Sequence, residues 1–162
     1  MKEFPTAKMD KIMLMMTFFF GGICIAVIFT AVYQIWIGEY FTIFPGILVL
    51  AALITSYLLI PKISVNQGEI RVKNSFVDFP IRFSEVAEIT RIEKLRFVIR
   101  TFGVGGLFGN FGYFNGNDVW YVTNRRKKVQ IKMKSGKVYM LSPENPDEFI
   151  NYIQTQTDFP GN

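Results

Sequence analysis

The sequence contains no histidine and a single cysteine, Cys24. The first absence removes the side chain that most often serves as general base or metal ligand near neutral pH. The second excludes an intramolecular disulfide and any multi-cysteine zinc site. Charge is missing over one long stretch as well: from Ile12 to Ile60 the only formally charged residue is Glu39. Nothing replaces the missing catalytic groups. Ser142, Asp118 and Glu148 have no convincing base nearby, so the chain is expected to act by binding rather than catalysis, with no cofactor and no metal. Disorder is not expected, because aromatic residues make up 16% of the 162 residues and several polar segments keep strand alternation.

What is present falls into two materials. The uncharged run 12–37, as a helix rising 1.5 Å per residue, reaches roughly 39 Å, and the run 41–60 reaches roughly 30 Å, against a hydrocarbon core of about 30 Å. Between them lies Gly38-Glu39-Tyr40. Leaving Glu39 in hydrocarbon costs on the order of 3 kcal/mol, which places the break there. Tyr33, Trp36 and Tyr40 gather at the same point, as amphipathic rings do at a membrane boundary. The pattern predicts a two-helix transmembrane hairpin. Lys2, Lys8 and Lys11 precede it and Lys62, Arg71 and Lys73 follow it, which puts both termini and the following domain on the cytoplasmic side of a multi-pass inner-membrane protein. Residues 1–11 are then a cytoplasmic N-terminus. Gly22, Ala26 and Thr30, and Ala52 and Ser56, recur at four-residue spacing and offer flat faces for helix contact.

The remaining 61–162 carries 15 Lys+Arg and 10 Asp+Glu. Ile63, Val65, Ile70 and Val72 alternate with polar residues around Gln67-Gly68, which predicts a hairpin with Val65 opposite Ile70 and Ile63 opposite Val72. The segments 81–92, 118–123, 128–134 and 137–141 read as further strands. A turn at Ser135-Gly136 sets Met133 opposite Val138 and Ile131 opposite Met140, and Lys134 opposite Lys137. Asn145 followed by Pro146 and Glu148 marks a helix start, with Phe149, Ile150 and Ile153 as its apolar stripe.

The segments IRFSEVAEI (81–89), TFGVGGLFGNFGYF (101–114) and LSPENPDEFI (141–150), set among hairpins, together resemble bacterial pleckstrin-homology (PH)-like domains. The resemblance covers 61–157, leaving 158–162 as a tail. It implies an antiparallel β-barrel or sandwich of about seven strands closed by a C-terminal helix, in a membrane-anchored α+β chain. It implies no enzyme. Lys62 and Arg71-x-Lys73 only partly match the basic pattern with which lipid-binding eukaryotic relatives read phosphoinositides.

Charge is segregated within the soluble part, since residues 94–137 hold ten Lys+Arg against one Asp. The expected contacts to anionic lipid are Arg96, Arg100, Arg125, Arg126, Lys127, Lys128, Lys132 and Lys134, each basic group near a cytoplasmic leaflet contributing about 1 kcal/mol. A solvated basic face is the alternative. Phe102, Leu107, Phe108, Phe111, Tyr113 and Phe114 interleave with five glycines and form either an interfacial aromatic loop or barrel core. The glycines do not spell a nucleotide loop, because position 108 is Phe and no strand-loop-helix unit surrounds it. Expected partners are the bilayer and its anionic head groups; the other reading is a protein-interaction module, accessory subunit or homo-oligomer. Nucleic acid is not an expected partner.

Overall fold

A computed structural model of the chain describes residues 1–93 and 98–156. It begins not with a helix but with a short strand, β1 (Lys2–Phe4), which the sequence does not signal. Asp10 then starts α1 (Lys11–Trp36), its Oδ1 accepting the backbone N–H groups of Ile12 (3.0 Å) and Met13 (2.9 Å). The helix ends where Gly38 takes a positive φ of 88°.

The second helix, α2 (Ile43–Leu58), runs back antiparallel along α1. A Cβ on Gly46 would stand 2.8 Å from that of Ala31, so this glycine sets the closest approach of the two helices. Among the described residues only α1 is long and apolar enough to cross a membrane by itself; α2 has 16 residues, about 24 Å. This corrects the expected pair of full-length spans. Pro45 fixes the first turn of α2, leaving 41–42 outside it. At the other end Asn74 Nδ2 takes the carbonyl of Leu59 at 3.1 Å and turns the chain into the domain before Ile60.

The domain is a sandwich of two sheets, not a closed barrel, and has more strands than the seven expected. The first sheet has the order β1–β2–β3–β4, with β2 (Lys62–Asn66), β3 (Glu69–Lys73) and β4 (Asp78–Arg82). The second contains β5 (Val86–Ile92), β6 (Arg100–Gly105), β7 (Asn110–Phe114), β8 (Asp118–Val122), β9 (Lys128–Met133) and β10 (Val138–Leu141), in the order β5–β9–β10–β8–β7–β6. Val65 faces Ile70 and Ile63 faces Val72, as the Gln67-Gly68 turn requires.

The β9–β10 hairpin has a different register from the expected one. Lys132 pairs with Val138 and Ile131 with Tyr139, one residue from the sequence reading. The turn is a three-residue loop: Met133 N–H donates to Lys137 O (2.8 Å) and Gly136 takes φ 85°, the geometry of a type I turn closed by a left-handed residue. The like-charged Lys134–Lys137 pair therefore does not form. Lys134 Nζ instead donates to Ser84 O at 2.7 Å, and Lys137 Nζ lies 5.1 Å from the Tyr139 ring centre.

Ile63, Val65, Ile70, Val72 and Ile81 of the first sheet pack against Val86, Phe111, Val129, Ile131 and Leu141 of the second. The helix α3 (Pro146–Gln156) closes one end through fully buried Phe149 and Ile153, with Ile150 half-buried. Phe4 of β1 meets Phe149 edge-on at 5.1 Å. The tail 158–162 lies outside the described residues.

Candidate functional site: the junction groove

The site lies where the helices meet the second sheet. Central strand β8 is buried on both faces from Val119 to Val122. Its inner side joins the main core, while Trp120 and Val122 join Phe114 and Met140 in a second, outer cluster. Beside that cluster is a cavity of about 390 Å³ lined by Met16 of α1, Arg100, Gly105, Asn110, Trp120, Arg125 and Lys128 among others.

Three sets of contacts fix the helices to this region. First, the segment after β1 lies across the ends of β8 and β10. Ala7 N–H donates to Ser142 O (2.8 Å), Thr123 Oγ1 donates to Ala7 O (2.5 Å), and Asn124 Nδ2 donates to Lys8 O (2.8 Å). Asp10, already capping α1, accepts Arg125 N–H at 2.8 Å and the guanidinium Nε at 3.3 Å. Second, Thr17 on α1 holds the β6–β7 turn: its hydroxyl donates to Gly106 O (3.3 Å) and accepts Phe108 N–H (3.0 Å). Third, Asn74 Nδ2 and Ser75 N–H take the last carbonyls of α2, those of Leu59 and Leu58. The Tyr57 and Phe108 rings meet edge-on at 5.6 Å between the second and third sets.

Burial alone would raise the Asp10 carboxyl. The backbone N–H groups of Met13 and Arg125 and the Arg125 guanidinium outweigh it and hold the carboxyl below its ordinary value of 3.8. Because the folded value is the lower one, the stabilisation is complete above the unfolded value and disappears as pH falls through the folded one. Asp10→Ala should cost about 1 to 2 kcal/mol at pH 7 through loss of the cap. Asp10→Asn keeps a capping oxygen, so it should lose less and should flatten the decline in stability below about pH 4. Denaturation of the two variants across pH 3 to 7 reads this directly.

The sequence-predicted cations do not form one open face. Arg125 is held by Asp10, Lys127 pairs with Glu144, and Lys132 pairs with Glu88 at 2.8 Å. The Lys127 side chain and then the Lys8 backbone N–H draw the Glu144 carboxyl below its usual range. The Lys132 side chain, followed by the Thr90 hydroxyl, does the same to Glu88. Lys134 lies at the β5 end on Ser84. Lys128 is buried, its ammonium 5.8 Å from the centre of the Trp120 ring. Arg126 is exposed, and among the described residues neither it nor Arg100 forms an ion pair. Arg96 lies outside the described residues.

The aromatic-glycine stretch forms the β6–β7 hairpin and divides three ways. Phe111 and Phe114 are buried and so follow the core alternative rather than the interfacial-loop one: alternation along β7 turns one into each core cluster. Leu107 and Phe108 sit half-buried at the tip beside the helices. Phe102 and Tyr113 are exposed. Sequence reasoning missed Trp120, Asn110 and Met16, which reach one cavity only through the pairing of β8 with β7 and the docking of α1.

Two packed sheets closed by a C-terminal helix fit the resemblance seen in the sequence, and a family model described as bacterial PH domain matches residues 61–157. The chain belongs to the bacterial PH domain family. To that matched region this PH domain adds β1, which lies N-terminal to the helices and pairs with β2 through Lys2–Val65, Glu3–Ser64 and Phe4–Ile63. No curated protein and no solved structure matches the chain. Among the described residues no cluster of metal-ligating side chains is found.

Proposed function

We propose that the chain is a membrane-tethered, non-catalytic binding module whose PH domain meets the anionic head groups of the cytoplasmic leaflet beside its own anchor. The observation that carries this reading is the Asp10–Arg125 contact. It seats the cation-lined strand ends directly at the first turn of α1, which among the described helices is the one long and apolar enough to cross a membrane by itself.

Three further features support it. β1 pairs with β2, so the chain enters α1 and leaves α2 on one side of the helix pair. A return crossing by α2 meets that requirement, its 16 residues being extended by the uncharged flanks within 41–60. The lysines flanking the helices favour the cytoplasm for that side. Thr17 lies about 9 Å along the axis from Lys11, which brings Leu107 and Phe108 on the β6–β7 tip to the depth of the head groups and upper acyl chains.

The full-length protein, reconstituted in nanodiscs, provides the test. Exchanging phosphatidylcholine for phosphatidylglycerol should slow amide hydrogen exchange at 100–109 and 124–128, and salt should reverse the effect. Equal exchange in both lipids would remove the lipid reading. Residues 61–162 alone are unsuited to this test, because excision removes β1 and the Ala7–Asp10 contacts.

A further inference from the structure

The junction cavity has the composition of an anion site. Among the described residues Arg100, Arg125 and Lys128 line it and no carboxylate does. Arg100 is exposed, and its Nη1 lies 3.3 Å from where a Cβ on Gly105 would stand, so the guanidinium lies back over the strand. Arg125 gives Nε and Nη2 to Asp10, at 3.3 and 3.4 Å, which leaves Nη1 uncommitted. The wall between them is Trp120, only 4% exposed, whose indole Nε1 meets no acceptor among the described residues. A buried donor without a partner is destabilising unless an acceptor arrives, and it rarely persists without a reason. Met16 lines it from α1, and a Cβ on the neighbouring Gly106 would stand 3.2 Å from Met16 Cε and 3.4 Å from the Phe20 ring, so the polar end of the cavity continues onto an apolar helix face.

We propose that this groove holds the phosphate of one anionic phospholipid, with Arg100 and Arg125 as its cations, Trp120 as its neutral donor and the acyl chains lying along α1 at Met16 and Phe20. The assignment rests on the membrane-tethered reading above and turns a diffuse electrostatic contact into a single built site. A lipid rather than a free phosphate is favoured because the cavity joins cations to the flank of the membrane helix. A soluble anion has no use for that apolar flank.

Native mass spectrometry of the full-length protein in neutral detergent, with phosphatidylglycerol added, counts retained lipid. One lipid per chain is expected. Arg100→Gln should weaken its retention about tenfold, the scale of one charged hydrogen bond, and Arg82→Gln, exposed on β4 of the other sheet, should leave it unchanged. Trp120→Phe keeps an aromatic ring and removes the N–H together with part of the buried indole's volume, so the midpoint in neutral detergent without lipid should fall through the cavity alone. The ligand role is read in lipid retention, which should weaken several-fold, and in the rise of the midpoint on adding phosphatidylglycerol, which should shrink relative to the unaltered protein. A purely structural role lowers the midpoint and leaves that rise unchanged. Equal loss in Arg100→Gln and Arg82→Gln, or no retained lipid, would overturn the groove. So would displacement of the bound species by millimolar glycerol phosphate, which would identify a soluble anion as the ligand. If the groove fails while hydrogen exchange still responds to phosphatidylglycerol, the broader reading stands without it.

Discussion

Phe149→Ala should lower the unfolding free energy by about 3 to 5 kcal/mol, the upper range for truncating a buried side chain. Phe149 is fully buried, and its ring is the meeting point of three parts of the chain remote in sequence. It closes the end of the two-sheet core from α3, and it receives the edge of Phe4 from β1. Phe4 in turn stacks obliquely on Tyr152 at 5.5 Å, and Lys2 reaches across to Glu148 at 2.8 Å with its ammonium 4.6 Å from the Tyr152 ring centre. The exposed ion pair contributes little by itself, so the loss is expected from the cavity and the released aromatic edge. The variant should therefore also speed hydrogen exchange at residues 2–8. Denaturant titration of the full chain in detergent gives the energy. A cost below about 1 kcal/mol would mean that β1 and α3 do not share a core.

Gly103→Ala should cost at least about 3 kcal/mol, a large value for adding one methyl group. Gly103 and Gly112 face each other across β6 and β7, both at φ 124°, a conformation that disfavours side chains. A Cβ at Gly103 would stand 2.1 Å from the carbonyl oxygen of Phe111 and 2.9 Å from the Gly112 Cα, both rigid backbone. Gly136 supplies the control. It also has positive φ, 85°, but open space around its would-be Cβ, so Gly136→Ala should lose only about 1 to 2 kcal/mol. The difference between the two variants isolates the strand contact from the backbone strain. Because this hairpin carries Arg100 at one end and the Thr17-bound turn at the other, Gly103→Ala should also release the tip from α1. Thermal unfolding and exchange at 100–114 read the two consequences, and similar losses in both variants would contradict the close approach.

Much of this fold was legible in the sequence where local chemistry decides the outcome. The Gln67-Gly68 hairpin keeps its register because a two-residue turn leaves no freedom in pairing. The α3 start was legible because Asn145, Pro146 and Glu148 each suit a helix N-terminus, and Asn145 Nδ2 does reach Glu148 Oε2, at 3.3 Å. The β9–β10 register was misread by one residue, since Ser135-Gly136 fits a two-residue loop as readily as the last two positions of a three-residue loop. β1 has three residues and no alternation long enough to signal a strand; it exists because β2 offers an edge. The site was less legible than the fold. The basic run 125–128 stands out by composition, yet its electrostatics depend on Asp10 and Glu144, brought in by β1 and by the turn after β10. Trp120 lies in an ordinary β-rich run, and nothing in that run marks it as the wall of a cation-lined cavity.

The most direct measurement is sidedness, read by single cysteines introduced into a Cys24→Ser chain and exposed to a membrane-impermeant maleimide. In intact spheroplasts Glu39→Cys, at the turn between the helices, should label from outside, whereas Ser135→Cys, on the PH domain, should label only after lysis. Labelling of Ser135→Cys from outside, or release of the full chain from membranes by alkaline carbonate, would contradict a PH domain held at the cytoplasmic leaflet.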